Sequence, residues 1–370
     1  MLMNKDVIVA SEFSAGSGAP TGALVADIIL FLKEKKLNVF TVSVKRSYKP
    51  GGIRPNRLIN MLEIFLKLNS MLIFRKINSL MKGNQLSLII TTSPPLMHIY
   101  AVILCKVFRI HSVLWYMDAH PELELRSVEK NLGLRKLANL CRRANLLIIS
   151  FFDRIITLDE AMKVSILTPR LKEKITVIPP WITYCEPAMG LRIPKSTPRQ
   201  KIIYAGNYGA AHSLASLTSL IKALPTKRQE QIEFTFVGMN VSSQDRLKKE
   251  FQEIETKLIF LPRFKRVEQL LASFSLYDFG LVSLAHECQG LVCPSKALTY
   301  VSQGLPLLYV GPKNSLSWSI CKEGWGLTDE EWVLSKETAF QRIQTRKNSL
   351  FENPRKPGLQ QFFECIQNSK

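Results

Sequence analysis

Cysteine in this sequence supports neither a disulfide framework nor a metal site. The 370 residues include seven cysteines, which are odd in number, scattered between Cys105 and Cys365, and never spaced as a metal-binding pair. Free thiols of this kind suit a reducing compartment. The start, MLMNKDVIVA, lacks the apolar core and the cleavage site of a signal peptide. We therefore expect a cytoplasmic protein with no metal.

Long hydrophobic runs are also lacking. The longest, LMHIYAVILCKVF at 96–108, contains His98 and Lys106 and is shorter than the roughly 20 residues of a membrane-spanning helix. Arginine-glycine tracts, RNA-binding aromatic signatures and zinc-finger spacings are missing as well. The sequence thus predicts a soluble or peripheral protein, with no nucleic-acid partner.

Acidic residues are few relative to basic ones. The sequence has 50 Lys and Arg against 30 Asp and Glu, and its formal net charge of +20 indicates an anionic partner, such as a phosphorylated ligand or an anionic lipid. The stretch 54–84 combines basic residues with Leu, Ile, Met and Phe at helical spacing. It predicts a basic amphipathic helix that contacts the inner face of the cell membrane. The alternative is one or two core-packed helices with a solvated basic face.

What the sequence does contain is a regular alternation of short β-rich runs with longer helical runs, which is typical of a parallel α/β sheet. The predicted strands are 6–11, 38–44, 86–92, 111–117, 154–158 and 175–180, then 201–207, 233–239, 257–263, 278–284 and 306–311. Because single cores stop growing near 250–300 residues, we predict two doubly wound, Rossmann-like domains facing a cleft. The boundaries are 1–185, a linker at 186–200, 201–345, and a C-terminal segment at 346–370.

Ligands of such sheets bind at the carboxyl ends of the strands, so the loops there are candidate site walls. The first of them, SEFSAGSGAPTGAL (11–24), contains Gly16, Gly18 and Gly22, which let a ligand approach the backbone. It is not the dinucleotide pattern G-x-G-x-x-G, because Thr21 interrupts it and no acidic residue follows the second strand. A nicotinamide-dependent enzyme is therefore not expected.

Two more of these loops carry polar side chains. WYMDAHPELELR (115–126) puts Asp118, His120, Glu122 and Glu124 beyond the fourth strand, where they suit acid–base chemistry or binding of sugar hydroxyls. The alternative is a solvated acidic loop. YAGNYGAAHSL (204–214) makes a glycine turn between strand and helix, with Asn207 and His212 close by in the sequence.

The segment GLVCPSKALTYVSQGLPLLYVG (290–311) predicts a helix over 295–303 that begins after Pro294, with Ser295 as its capping residue. Free amide groups at a helix start attract anions, and Lys296 adds a full charge at that place. Phosphate is the anion we expect here. The alternative is an ordinary capped helix whose lysine is solvated.

Several of these stretches together resemble glycosyltransferase family 4 (group 1), which comprises retaining enzymes of the GT-B fold. The stretches are IIYAGNYGAAHSL, FTFVGM, DFGLVSL, PSKALTYVSQGLPLLYVG, DAHPE and ITVIPPW, and the resemblance covers about residues 6–320. It is closest to bacterial members that build surface polysaccharides. It implies metal-independent transfer of a hexose or N-acetylaminosugar from a UDP- or GDP-sugar to a lipid-linked or polysaccharide acceptor, with no further cofactor. It also implies that a C-terminal helix near 359–367 returns to the first domain.

The resemblance implies a role for each candidate residue. The catalytic set is Asp118, His120, Glu287 and Lys296, and the donor-binding set is Gly18, Gly22, Gly206, Asn207, Gly209, Arg263, Ser295, Lys296, Thr299 and Gly304. Thr299 departs from the family, because many members have a glutamate there that holds the donor ribose, and a single hydroxyl oxygen cannot hold both ribose hydroxyls as the two oxygens of a carboxylate do. The alternatives are a catalytically silent sugar-nucleotide-binding or assembly subunit and a GT-B-fold epimerase.

Overall fold

The computed structural model describes residues 5–14, 20–44, 57–94, 96–120, 122–123, 132–183, 190–194, 199–206, 211–212, 214–335 and 337–367. The chain forms two compact units. The first consists of Met1–Tyr184, Gly290–Cys293 and Pro354–Lys370, and the second of Cys185–Gln289 and Pro294–Asn353. The C-terminal segment and the short segment 290–293, which interrupts the second unit's part of the sequence, therefore belong to the first unit.

The first unit alternates strand and helix throughout. Its elements are β1 (Lys5–Phe13), α1 (Pro20–Glu34), β2 (Asn38–Val44), α2 (Arg57–Lys82), β3 (Gln85–Thr91), α3 (Met97–Val107), β4 (His111–Tyr116), α4 (Leu132–Ile149), β5 (Arg154–Thr157), α5 (Glu160–Ile166) and β6 (Ile175–Val177). The six strands form one parallel sheet in the order β2-β1-β3-β4-β5-β6. Val7, Ile8, Leu88 and Ile89 are almost fully buried, so the core lies around the central strands.

The strand order determines which helices share a face of this sheet. The step from β1 to β2 goes towards one edge of the sheet. The steps from β2 to β3, β4 and β5 go towards the opposite edge. Because crossovers between parallel strands are right-handed, a reversal of direction moves the connecting helix to the opposite face. Helices α2, α3 and α4 therefore cover one face, and α1 covers the other.

The second unit repeats this architecture. Its elements are β7 (Gln200–Ala205), α6 (Leu214–Lys222), α7 (Thr226–Gln229), β8 (Ile232–Val237), α8 (Val241–Glu250), β9 (Lys257–Leu261), α9 (Val267–Ser273), β10 (Phe279–Ser283), α10 (Lys296–Ser302), β11 (Leu307–Val310), α11 (Leu316–Ile320), β12 (Gly326–Thr328), α12 (Asp329–Val333) and α13 (Glu337–Thr345). The sheet order is β12-β11-β10-β7-β8-β9, and every pair is parallel. The order reverses between β7 and β10, which is where ligands of open α/β sheets bind.

The final helix, α14 (Arg355–Gln367), belongs to the first unit. Arg355 forms a 2.7 Å ion pair with Asp27 of α1, and the indole of Trp181 donates to the same carboxylate at 2.9 Å. The ring of Phe362 packs edge-on against Trp115 of β4, with 5.0 Å between ring centroids. The helix is thus attached to the α1 face of the sheet by both polar and aromatic contacts.

The predicted α/β class with two Rossmann-like units is confirmed, and the differences are local. The strand predicted over 175–180 ends at Val177, because Pro179 and Pro180 have no amide hydrogen for the ladder. The helix predicted within 54–84 extends from Arg57 to Lys82. Strand β12 was not predicted, since its three residues are too few to show a period. No helix in the described part of the chain is long and apolar enough to cross a membrane.

Candidate functional site

The best-defined cluster of candidate residues lies at the carboxyl edge of the second unit's sheet, where the strand order reverses. Strand β7 ends at Ala205 and is followed by Gly206, and the neighbouring β10 ends at Ser283. Helix α10 begins at Lys296 after the connection from β10. This is the place at which a doubly wound sheet leaves a crevice for a ligand.

Tyr300 fixes α10 against these two strands. Its hydroxyl accepts a 2.8 Å hydrogen bond from the backbone N–H of Ala205, at the end of β7. Its ring lies on Gly280 of β10 so closely that a Cβ at that glycine would come within 2.4 Å of the ring. Residues four apart share a face of a helix. The contact of Tyr300 therefore also directs Lys296, one turn earlier, towards the end of β7.

The ammonium of Lys296 lies at that strand end. Its Nζ is 3.8 Å from the centroid of the Tyr204 ring, within the range of a cation–π interaction. A Cβ at Gly206 would lie 3.6 Å from Nζ, and the φ of +122° at this glycine is one that other residues rarely adopt. Burial lowers the pKa of Lys296 to about 7, although the residue as a whole is only half-buried. The alternative in which Lys296 is fully solvated therefore does not fit this structure.

His212 completes the cluster. Its Nδ1 is 2.8 Å from the carbonyl oxygen of Ser283, and because a carbonyl only accepts, Nδ1 carries the hydrogen and Nε2 the lone pair. Its ring packs edge-on against Tyr204, with 5.6 Å between centroids. Burial, and then the charge of Lys296, lower the pKa of His212 to about 3. Two groups that can carry positive charge are thus held together where an anion would favour their protonation.

The start of α10 differs from the prediction. Ser295 precedes the helix, as expected for a capping residue, but its own backbone is already helical and its side chain makes no capping hydrogen bond. The side chain is exposed. With seven residues, α10 has only a small macrodipole. The side chain of Lys296 is therefore the main source of positive potential on this helix. Thr299 is half-buried in the same helix.

The catalytic candidate Glu287 and the remaining donor candidates lie at different places in the second unit. Glu287 is exposed in a single 3₁₀ turn, His286–Cys288, that follows β10, so it belongs to the carboxyl edge. Arg263 is exposed after β9, which β8 separates from β7. Gly304 follows the C-terminus of α10 and precedes β11. It therefore lies at the amino edge, away from the cluster, and we leave it out of the proposed site.

Some candidates lie outside the described residues: Gly16, Gly18, Glu124, Asn207 and Gly209. Of the three glycines in the first glycine loop, only Gly22 is described, and it is buried in the first turn of α1. Among the residues that the structure describes, no group of three His, Cys, Asp or Glu side chains could hold a metal ion.

In the first unit, Asp118 and His120 follow β4 and lie near each other. The distance from His120 Nε2 to the Asp118 carboxylate is 4.0 Å; the carboxylate is partly exposed and the ring largely buried. The backbone holds this turn. Asp118 pairs with Val292 in an antiparallel bridge, and the N–H of Ala119 donates to the carbonyl of Leu291 at 2.8 Å. Segment 290–293 thus serves to position the turn that carries Asp118.

A network of buried polar side chains lies close enough to His120 to feel its charge. His98 Nε2 lies 2.9 Å from Asn145 Oδ1, and the amide nitrogen of Asn145 donates to Glu122 at 3.2 Å. Glu122 and His98 are both buried, at 5% and 0% exposure. Burial is the largest cause that lowers the pKa of His98, and the charge of His120 also contributes. Glu122 therefore belongs to an internal network rather than to the solvated loop that was the alternative.

The comparisons with known proteins identify the fold. No protein-family model and no curated protein sequence matches the chain. Solved structures do match over almost the full length. The lipopolysaccharide outer core galactosyltransferase WaaB has a TM-score of 0.58 and 12% identity, covering 99% of this chain and 100% of its own. The chain has the GT-B fold.

Two further GT-B structures agree with that assignment. The catalytic domain of starch synthase IV from Arabidopsis thaliana, bound to ADP and acarbose, has a TM-score of 0.60 and 11% identity, with 99% of each chain covered. WaaG, a glycosyltransferase involved in lipopolysaccharide biosynthesis, has a TM-score of 0.56 and 11% identity, covering 98% of this chain and 100% of its own. At such low identity these likenesses establish the architecture alone.

Sequence reasoning found Lys296 but missed the residues that hold it. Tyr204, Gly280 and Tyr300 were not singled out, and His212 was noted only as a neighbour of the glycine turn. A signal was available for two of them. Gly280 interrupts an apolar strand, which often marks a close approach, and Tyr300 lies four residues after Lys296.

Proposed function

We propose that the chain is a glycosyltransferase that takes a sugar from a nucleotide-sugar donor. The observation that supports this most strongly is the cluster of Lys296, His212 and Gly206 at the strand-order reversal of a GT-B second unit. It combines the amine of Lys296, a neutral imidazole and a glycine at the strand end, where a diphosphate could approach the backbone.

The chemistry of transfer explains why such a cluster is useful. When the bond between the anomeric carbon and the diphosphate breaks, negative charge grows on the leaving phosphate oxygen. A protonated Lys296 stabilises that charge, because a group fixed in a water-poor site needs no reorganisation. The anomeric carbon, which becomes oxocarbenium-like, then accepts the acceptor's hydroxyl oxygen. The hydroxyl proton passes to a base, for which the leaving phosphate and the first unit's Asp118 and His120 are the candidates.

The finer features of the proposal come from the resemblance in the sequence. They are retention of configuration at the anomeric carbon, independence of metal, and a lipid-linked or polysaccharide acceptor. The donor is proposed to be a UDP- or GDP-sugar; a structure of HepE from Anabaena that matches with a TM-score of 0.54 and 12% identity contains UDP and glucose. Asp118 and His120 are assigned to the acceptor side, and Glu287 to the sugar.

A donor screen tests the proposal. The melting temperature of the full chain is measured with UDP-, GDP- and ADP-sugars and with the free diphosphates, since a ligand that binds the native state raises it. We expect one nucleotide series to raise it in the wild type and to have a much smaller effect on Lys296→Met. The matched control, Lys227→Met, changes an exposed lysine in the short helix α7 and should respond as the wild type does. If no nucleotide stabilises the protein, the proposal is wrong.

The second candidate function is a silent subunit that binds a sugar nucleotide without transferring the sugar. It is favoured by Thr299, because this residue stands where many family members have the glutamate that holds the donor ribose. If diphosphate contacts at Lys296 dominate and the ribose is weakly held, a nucleoside diphosphate should bind far better than its nucleoside. Loss of the 2′-hydroxyl should then cost no more than about 1.5 kcal/mol, the size of one neutral hydrogen bond. Transfer of radiolabelled sugar to a glycan acceptor separates the two functions, because the silent subunit binds donor without any turnover.

A further inference from the structure

The outer side of the α2–α3–α4 layer is unusual for a protein surface. Large apolar side chains on all three helices are exposed to solvent, among them Leu66, Ile73, Ile77, Leu80, Ile103 and Leu140, with exposures between 47% and 69%. Single exposed apolar residues are ordinary, but a set that extends over three neighbouring helices indicates a surface that something covers.

These helices form one continuous layer. All three cover the same face of the first unit's sheet, as the strand order requires. Helix α2 contacts α3 through the rings of Phe65 and Tyr100, whose centroids are 4.3 Å apart, and through a hydrogen bond from the Tyr100 hydroxyl to Asn69. Helix α3 contacts α4 in turn. Their exposed apolar side chains therefore belong to one surface.

Helix α2 has two apolar stripes. Ile64, Leu68 and Leu72 are almost completely buried and pack towards the sheet. Leu62, Leu66, Ile73, Ile77 and Leu80 are exposed, and at about 100° per residue they lie within about 60° of one another on the other side of the helix. Core packing explains the first stripe only. The predicted alternative, a core-packed helix with a merely basic outer face, does not account for the second.

The charge of the layer is mostly positive. In the sequences of the three helices, Glu63 is the one acidic residue, and Lys67 pairs with it at 2.5 Å. Basic residues occur on every helix of the layer, including Lys76 on α2, Arg143 on α4 and Lys106 on α3, whose ammonium pairs with Asp153 at 2.7 Å. A layer with both exposed apolar side chains and excess positive charge is complementary to an anionic surface that has an apolar interior.

We propose that the outer side of the α2–α3–α4 layer is a docking surface for an anionic lipid bilayer. Helix α2 lies in the plane of the membrane, with its outer stripe in the headgroup region and Lys76, which flanks that stripe, against anionic lipids. At 26 residues it is about 39 Å long, which gives a long apolar line of contact. The proposal does not involve the cluster around Lys296, so vesicle binding and donor binding can fail independently.

Sedimentation with vesicles tests this surface on the full chain. We expect the wild type to sediment with phosphatidylglycerol-containing vesicles, to sediment less as salt rises, and to stay in solution with phosphatidylcholine alone. The triple variant Leu66→Ser, Ile73→Ser, Ile77→Ser should bind those vesicles at least tenfold more weakly. The matched control, Val241→Ser, Leu276→Ser, Leu334→Ser, removes three similarly exposed apolar residues of the second unit and should bind as the wild type does.

Circular dichroism and melting temperature establish that both triple variants are folded before they are compared. Equal binding of the wild type and the outer-stripe variant would overturn the proposal, and so would equal recovery on neutral and anionic vesicles at low salt. Light scattering adds a third check. If the wild type self-associates without lipid, the outer-stripe variant abolishes that association, and vesicles recruit neither protein, then the surface is an interface between copies of this chain.

Discussion

Lys296 Nζ lies 3.8 Å from the centre of the Tyr204 ring. The negative face of the ring favours the ammonium form, whereas burial opposes it and lowers the pKa of Lys296 to about 7. Near neutral pH the amine is therefore close to the midpoint of its titration. A bound anion shifts that balance towards the charged form, which couples ligand binding to protonation.

Replacement of Lys296 should impair catalysis strongly. Lys296→Met keeps most of the side-chain volume over Tyr204 but removes the charge, and we expect turnover on the cognate donor to fall by about 10²-fold or more. Initial rates at saturating donor measure this. Lys227→Met should retain wild-type turnover. Wild-type turnover in Lys296→Met would remove this lysine from the proposed mechanism.

Binding of a nucleoside diphosphate should take up a proton. In the free protein the pKa of Lys296 is about 7, so at about pH 8.5 its amine is mostly neutral. Two negative phosphates beside it raise the pKa, and the complex should then gain up to about one proton per nucleotide at that pH. Titration calorimetry in buffers of different ionisation enthalpy measures the number. Lys296→Met should show no such uptake, and equal uptake in both proteins would assign the proton to another group.

The same shift determines how the stability of the free protein depends on pH. The ordinary pKa of 10.5 applies to the unfolded chain, and the folded value is about 7. Between these values the unfolded chain binds more protons, so the free energy of unfolding should rise with pH across that window. It should rise less in Lys296→Met. Bound diphosphate should flatten the wild-type curve, because it raises the folded pKa again.

The first-unit pair should affect transfer rather than donor binding. We expect Asp118→Asn and His120→Ala each to lower the transfer rate while the affinity for nucleotide stays within about twofold, because both side chains are assigned to the acceptor. Comparison of nucleotide Kd with transfer rate separates the two effects. His120 is mostly buried, so the melting temperature must be measured as well. Parallel loss of stability and nucleotide affinity would show that the pair is structural.

The sequence allowed prediction of the features that depend on near neighbours. Strand β2 was predicted over its full range, and the start of α10 to within one residue, because apolar runs and breakers mark such elements locally. The geometry of the site depends on distant partners. Tyr300 contacts the backbone of Ala205, 95 positions away, and His212 binds a carbonyl 71 positions away. No local pattern contains that information.

Ser295 is a case in which a prediction from the local sequence was wrong in detail. Residue type and position favoured a cap, and the residue does precede the helix, but its backbone is helical and its side chain makes no cap. The inclusion of segment 290–293 in the first unit was equally beyond prediction. It depends on the bridge between Asp118 and Val292, two residues that lie far apart in the sequence.

The packing of Gly280 against Tyr300 should couple the stability of the second unit to donor binding. Gly280→Ala would place a Cβ within 2.4 Å of the ring, so α10 must shift and carry Lys296 with it. We expect a loss of about 1–3 kcal/mol in the free energy of unfolding, the usual cost of overpacking, together with weaker binding of nucleoside diphosphate. Gly358→Ala, in α14 of the first unit, should leave nucleotide affinity unchanged.

A double-mutant cycle shows whether the ring itself is responsible. Tyr300→Leu removes the ring that the new Cβ meets, so Gly280→Ala should cost clearly less in that background than in the wild type. Denaturant unfolding of the four proteins measures the coupling, and nucleotide titration of the same four follows the site. Additive costs would mean that Gly280 does not act through Tyr300. A stability loss with unchanged nucleotide affinity would instead show that α10 can move without displacing the ligand site.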